Sequence, residues 1–168
     1  SYTILRPALL FGDDGILVNN IAWILRRFPL FGLFGDGSYK LQPIHVENLA
    51  GLAVESAEQT SNQIIDAIGP ETFTYQEFVE TIGTAIGRPR PIISIPPFLA
   101  MTISKILQPI LNDILITQDE ITGLRRNLLE VNSPPVGDTR FTSWVRENAE
   151  SLGCDYSSEL ARRKQTGE

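Results

Sequence analysis

The chain predicts an α/β fold built on parallel strands, and three observations predict it. Tyr2-Thr3-Ile4-Leu5 is a short apolar, partly β-branched run that stops ahead of Pro7, where the residue before a proline is pushed out of the helical region. Gln63 to Ile68 is a second such run, closed by Gly69-Pro70. Around both, apolar residues recur at helical spacing. Apolar side chains on both faces suit a parallel strand that is covered on both sides; by length alone, a buried helix segment is the alternative reading of Tyr2 to Leu5.

The chain has 168 residues and 42% hydrophobic content, enough for one core. Its net charge is −6 and its Lys and Arg are scattered, which argues against nucleic acid as a partner, because binding phosphate needs a concentrated basic patch. Cys154 is the single cysteine, so no intrachain disulfide forms and a reducing, cytoplasmic location is expected. A reactive thiol is the alternative for Cys154, although no neighbour in sequence is cationic. No transmembrane segment is expected, since no apolar run approaches the ~20 residues that span a bilayer.

After the first strand, Arg6 to Gly12 reads as a loop facing a ligand crevice, because ligands of parallel sheets sit beyond the carboxyl ends of the strands. Asp13-Asp14-Gly15 makes a turn; two adjacent carboxylates are poor evidence of a metal, and none is expected. Leu17, Ile21, Ile24, Leu25 and Phe28 mark one face of a helix that Pro29 stops. Arg26 and Arg27 in its last turn suit the negative end of the helix dipole, with an anion or phosphate contact as the alternative. Gly35-Asp36-Gly37 is a turn between extended segments, the second being Tyr39 to Gln42. Pro43-Ile44-His45-Val46 then enters a helix with a stripe of Val46, Leu49, Ala50, Ala53 and Ala57, whose alanines allow close approach to a sheet.

Beyond the Gln63–Ile68 strand, Thr74 and Glu77 form a capping box for a helix presenting Tyr75, Phe78, Val79, Ile82 and Ile86, ended by Gly87 before Pro89. Pro91 to Pro97 is extended. Phe98, Met101, Ile106, Leu107 and Ile110 suggest another helix, and Thr117 with Glu120 opens one carrying Ile121, Leu124 and Leu128. Asn132 to Asp138 is a loop, Trp144, Val145 and Leu152 mark a last amphipathic helix, and 157–168 is expected to be a frayed, charged tail. Because the chain begins inside its most apolar strand, it is expected to be part of a longer protein whose N-terminal half precedes it.

Three blocks together resemble the C-terminal half of an extended or atypical short-chain dehydrogenase/reductase, in the NAD-dependent epimerase/dehydratase group. The first is Thr3-Ile4-Leu5-Arg6-Pro7 through Phe11-Gly12. The second is Gly35-Asp36-Gly37 followed by Pro43-Ile44-His45-Val46-Glu47-Asn48-Leu49-Ala50, similar to an HVDD(L/V)A segment with Glu47-Asn48 in place of the aspartates. The third is Ile68-Gly69-Pro70 with the capped helix and Gly87-Arg88-Pro89. The match covers about residues 2–97, and its style is similar to that of the complex I accessory NAD(P)-binding subunits. The resemblance implies a C-terminal portion of a Rossmann-like fold over 1–68, with a substrate-side insert, and a small, mainly helical substrate region over 69–168.

Two family features are absent from this sequence. No GxxGxxG follows a strand, and no YxxxK exists: Tyr2, Tyr39, Tyr75 and Tyr156 are followed four places on by Arg6, Pro43, Val79 and Leu160. In the family that lysine lowers the tyrosine pKa for acid–base work. No catalytic residue is therefore assigned.

The resemblance further implies that Pro7, Ala8 and Leu9 offer backbone and apolar contact near a nicotinamide, and that Arg6 meets substrate, with a structural salt bridge as its alternative. It allows Leu17, Asn20 and Ile21 to line a substrate pocket. His45 reads as a satisfied structural histidine, since no nucleophile or partner carboxylate stands beside it in sequence. The parent protein would use NAD or NADP, whereas this chain alone is expected to bind neither. Its partners would be a small-molecule substrate and the missing N-terminal half; the chain alone is expected to self-associate through its exposed strands, as a dimer. The leading function is the substrate side of an NAD(P)-dependent oxidoreductase or epimerase. Its rivals are a non-catalytic NAD(P)-binding or assembly subunit and a small α/β interaction domain.

Overall fold

The structure, a computed structural model, describes residues 1–13, 15–95 and 130–158. Its elements run β1 (Thr3–Pro7), β2 (Leu9–Phe11), α1 (Ile16–Arg27), β3 (Phe31–Phe34), β4 (Lys40–Leu41), β5 (Pro43–His45), α2 (Val46–Ala57), β6 (Gln63–Ala67), β7 (Phe73–Thr74), α3 (Tyr75–Ala85), β8 (Ile92–Ile95) and α4 (Phe141–Glu147). The pairs β1/β6, β2/β5 and β3/β8 are parallel and β4/β7 is antiparallel. The α/β class with parallel pairing is as the sequence predicts. Asp14, Pro96 and Pro97, the helices expected around Phe98–Ile110 and from Thr117 to Leu128, and the tail beyond Ser158 lie outside the described residues.

Extended structure at the N-terminus goes further than the sequence indicated. β1 runs on through Arg6 and Pro7, with Ala67 opposite Pro7, and a proline is tolerated at a strand end because the ladder loses only one donor there. Leu9 to Phe11, expected as loop, is a strand. It pairs in register with Pro43 to His45, which was itself expected to enter a helix. Two short segments with weak local signals become strands because each supplies the other's backbone partners. β1 is also not covered on both faces: Ile4 and Ile64 share one rung of the ladder and are 47% and 55% exposed.

The core lies between α1, α3, α4 and the strand ends. Val18, Ile21, Ala22 and Leu25 of α1 pack with Phe78, Val79 and Ile82 of α3 and with Phe141, Trp144 and Val145 of α4. The buried face of α1 is rotated from the expected stripe, since α3 and α4 select Val18 and Ala22 and leave Leu17 and Phe28 exposed. α3 matches its expectation closely. The Thr74 hydroxyl accepts from Glu77 N at 3.2 Å, the Glu77 carboxylate accepts from Thr74 N at 2.8 Å, and Gly87 takes a left-handed conformation at the end (φ 67°). One cluster joins residues on both sides of position 68.

α2 departs from expectation. Among the described residues it buries none of its side chains: Val46, Ala50, Ala53 and Ala57 are exposed, and Leu49 and Leu52 are half-buried. α4 is a short helix, and Leu152 is buried in the turns after it rather than within it. Gly69 lies so close to the Pro43 carbonyl that a Cβ there would overlap it, which explains a glycine where β6 leaves the sheet.

Candidate functional site

The carboxyl ends of β1/β6 and β2/β5 carry Arg6, Pro7 and His45, and Ala8 and Leu9 link the two pairs. At β1/β6, Arg6 and Asp66 occupy the same rung and their side chains meet at 2.6 Å. Asp66 also accepts from the Ser133 hydroxyl at 2.6 Å. That hydroxyl first, and the Arg6 guanidinium after it, hold the Asp66 carboxyl below the usual carboxylate range against the opposing effect of burial. The loop carrying Ser133 crosses the end of β6, where Ile68 O accepts from both Val136 N and Gly137 N at 3.0 Å. Asp66 and Ser133 were not assigned from the sequence; a carboxylate closing an otherwise apolar strand was the available signal.

Pro7, at the end of β1, is exposed, while Ala8 and Leu9, leading into β2, are half-buried. These three offer apolar surface and main-chain groups and no ionisable side chain. Phe11, 1% exposed, ends β2 opposite His45. The Phe11 ring meets those of His45, Phe141 and Trp144 edge-on at centroid distances of 5.1, 5.2 and 5.4 Å.

His45 is the N-cap of α2. Its Nδ1 accepts from Glu47 N at 3.3 Å, which requires that nitrogen to be unprotonated and leaves the neutral ring's proton on Nε2. A side chain at Gly12 would overlap Val46 and lie 3.8 Å from His45 Nε2, so the absence of a Cβ keeps that corner clear. The arrangement can hold and orient a ligand through main chain, aromatic edges and the Arg6–Asp66–Ser133 group. The one hydroxyl on a carboxylate in this group, Ser133 on Asp66, shares that carboxylate with the Arg6 guanidinium.

The candidate substrate residues take separate environments. Ile21 is 3% exposed and belongs to the core, and Leu17 is 40% exposed. Asn20 is engaged by the chain itself, its Nδ2 donating to Ser157 O at 2.9 Å and its Oδ1 accepting from Ser157 N at 3.0 Å. Ser157 is thus anchored, contrary to the expected frayed tail. Arg26 and Arg27 stand in the last turn of α1, as the dipole reading has them, and the chain also engages both: Arg26 donates to Leu152 O and Ala149 O, and Arg27 to Gly153 O and Cys154 O, at 2.7–3.1 Å. The Arg27 guanidinium also lies 4.6 Å from the Trp23 ring centroid.

Two grooves occur elsewhere. One, of about 270 Å³, lies between the amino end of β1 and α2, with Tyr2, Leu5, Ala53 and Ala57 among its walls. The other, of about 200 Å³, lies beside α3 and is lined by Leu25, Glu80 and Arg90 among others. Neither includes a sequence-assigned site residue. Among the described residues no group of three or more His, Cys, Asp or Glu could hold a metal, and no helix is long and apolar enough to cross a membrane.

No protein-family model matches the chain. It is 31% identical over 87 residues to the mitochondrial NADH dehydrogenase [ubiquinone] 1 alpha subcomplex subunit 9 of Dictyostelium discoideum, a match covering 49% of this chain and 24% of that protein. To the mitochondrial NADH-ubiquinone oxidoreductase 40 kDa subunit of Neurospora crassa it is 27% identical over 122 residues, or 71% of this chain and 31% of that protein. The chain thus spans less than a third of the length of either relative. These relatives overturn the cytoplasmic expectation, which rested on a single cysteine, because both are mitochondrial; lack of a disulfide fits any reducing compartment.

Among solved structures, a human epimerase family protein with NADPH superposes with a TM-score of 0.56 at 25% identity, over 89% of this chain and 48% of that one. The UDP-N-acetylglucosamine 4-epimerase of Methanobrevibacter ruminantium, at 19% identity and TM-score 0.53 over 89% of this chain and 45% of its own, shares the fold. In fold the chain is similar to the Rossmann-like NAD-dependent epimerase/dehydratase group of short-chain dehydrogenase/reductases, and in sequence to complex I alpha-subcomplex subunit 9.

Proposed function

We propose that this chain is the substrate-side, C-terminal portion of a nucleotide-binding accessory subunit of mitochondrial complex I, in which the crevice binds and orients rather than reacts. The observation that carries this reading is the similarity to two complex I subunits, joined to strand ends whose ionisable groups are paired within the chain. Arg6 pairs with Asp66, Asp66 is held by Ser133, and His45 Nδ1 caps α2. Pro7, Ala8 and Leu9 fit the apolar contact of a nicotinamide. NAD or NADP would owe its pyrophosphate site to sequence outside this chain, because no glycine fingerprint lies within it. When bound, the cofactor would supply an ordered ligand rather than a hydride acceptor.

The edge of β1 and its open face would receive the N-terminal half of the longer protein. The test is native electrophoresis of solubilised mitochondria together with NADPH and NADH titration of the intact protein. Migration with complex I and saturable nucleotide binding without turnover are expected. Steady turnover of a nucleotide sugar or small carbonyl substrate would overturn the reading in favour of the second one, an NAD(P)-dependent oxidoreductase or epimerase, which the likeness to the human epimerase family protein favours. In that second reading Arg6, Leu17 and Asn20 contact the substrate, and Ile21 stays in the core.

A further inference from the structure

We propose that residues 154–157 form a releasable strap, hinged at Gly153, whose main chain occupies a polar face of α1 that a ligand can take when the strap leaves. Asn19, Asn20, Trp23, Arg26 and Arg27 fall at the spacing of one helical face, and all of them meet the segment that follows α4. Asn19 Nδ2 donates to Asp155 O at 2.8 Å and to the Ser157 hydroxyl at 2.9 Å, while its Oδ1 accepts from Gly153 N at 2.9 Å. Asn20 exchanges a donor and an acceptor with the main chain of Ser157. The Tyr156 ring stands edge-on to Trp23 at 5.2 Å.

Two halves of this segment differ in how they are held. Up to Gly153 it is part of the core: Leu152 is 6% exposed, Arg26 grips the carbonyls of Ala149 and Leu152, and Gly153 rests directly on the Ala22 and Trp23 backbone. Gly153 adopts φ 71°, a conformation that redirects the chain along α1. Beyond it, Cys154 and Asp155 are exposed and Tyr156 and Ser157 only half-buried. Hydrogen bonds at the surface with little apolar burial belong to the low-stability end of a fold, where segments open without global unfolding.

Release uncovers the amide donors of Asn19 and Asn20 and the Asn20 acceptor beside the exposed Leu17, together with the Arg27 Nη2 that Cys154 O holds, while Asn19 Oδ1 stays on Gly153 N. The carboxamides suit a group carrying both a donor and an acceptor, such as an amide or a pair of hydroxyls, with the Arg27 guanidinium at the edge of the same face. The substrate role of Asn20 in this scheme rests on the second reading above; the strap itself does not.

Hydrogen exchange on the intact protein, resolved to single amides, tests it. The Ser157 amide is expected to exchange at least about tenfold faster than those of Leu152 and Ile82. Asn20→Ala is expected to accelerate Ser157 by about a further tenfold and leave Ile82 unchanged. A Ser157 rate equal to the core rate in the wild-type protein overturns the proposal, whether or not the variant folds. So does an Asn20→Ala variant that accelerates every amide alike. Saturating UDP-N-acetylglucosamine, used as a probe bearing both an amide and hydroxyls, is expected to accelerate Ser157. If the strap opens and this probe leaves its rate unmoved, the substrate role of Asn20 falls and the strap stands.

Discussion

Arg6 and Asp66 sit on one rung of the parallel β1/β6 ladder, with their side chains 2.6 Å apart, and the Ser133 hydroxyl closes on the same carboxylate from a loop distant in sequence. Asp66 is held below its ordinary pKa, so the folded state favours the ionised form. The resulting stabilisation is present above the unfolded-state value of about 3.9 and is lost as pH falls through the lower folded value. Denaturation followed from about pH 6 to about pH 2 is expected to show a steeper acid loss for the wild type than for Asp66→Asn. Ser133→Ala is expected to flatten the profile more than Arg6→Ala, because Arg6 is 59% exposed and its pairing is screened by solvent.

Glu71 caps α4 from outside the helix. Its carboxylate accepts from Thr142 N at 3.0 Å, from the Thr142 hydroxyl at 2.8 Å and from Arg140 at 2.7 Å, with its side chain 9% exposed. Glu71→Ala is expected to cost about 1–3 kcal/mol, since it leaves the Thr142 N–H and hydroxyl without their acceptor. Arg140→Ala is expected to cost under about 1 kcal/mol, because that side chain is 62% exposed. Urea unfolding followed by tryptophan fluorescence separates the two, as Trp144 lies on α4.

Tyr39 stacks on Tyr75 with ring centroids 5.2 Å apart, and its hydroxyl is buried with no hydrogen-bond partner among the described residues. Tyr39→Phe is therefore expected to be neutral or to stabilise by up to about 1 kcal/mol, since the hydroxyl is desolvated without compensation. Burial pushes Tyr75 up to about 12, and Tyr39 is raised by burial, then by Tyr75 and Asp36. Raised tyrosine pKa values make a stability contribution that is complete below the unfolded value of about 10 and is lost as pH rises above it. Thermal melts from about pH 9 to about pH 12 are expected to show a shallower alkaline loss for Tyr39→Phe than for the wild type.

Ile4 and Ile64 face outward together on one rung of the β1/β6 ladder. Self-association of this chain alone, through that face, is expected to appear as concentration-dependent mass in light scattering. Reburied apolar surface contributes about 25 cal/mol per Å², and a charge at its centre opposes that gain. Ile4→Lys and Ile64→Lys are expected to shift the chain toward monomer. A wild-type chain that stays monomeric over the whole dilution range would rule out association through this face.

The sequence by itself determined the elements whose signals are local. The Thr74–Glu77 box and Gly87 delimit α3 because capping acts over three or four residues. Tyr2 to Leu5 and Gln63 to Ile68 announced strands because an apolar, β-branched run fits a paired surface. The order of the three family blocks foretold the fold that the human epimerase family protein shares. Tertiary structure alone decided what depends on partners far along the chain. Leu9 to Phe11 became a strand because Pro43 to His45 lay alongside to supply its hydrogen bonds, and neither segment carries that pairing in its own composition. Arg26 and Arg27 stand in the last turn of α1 as the local reading has them, but that they and Asn20 hold carbonyls and amides between Ala149 and Ser157 is something no helical periodicity encodes. The reason is physical: a hydrogen-bonding side chain fixes what chemistry it offers, and the packing of α4 against Phe11 and α3 fixes which backbone arrives to accept it.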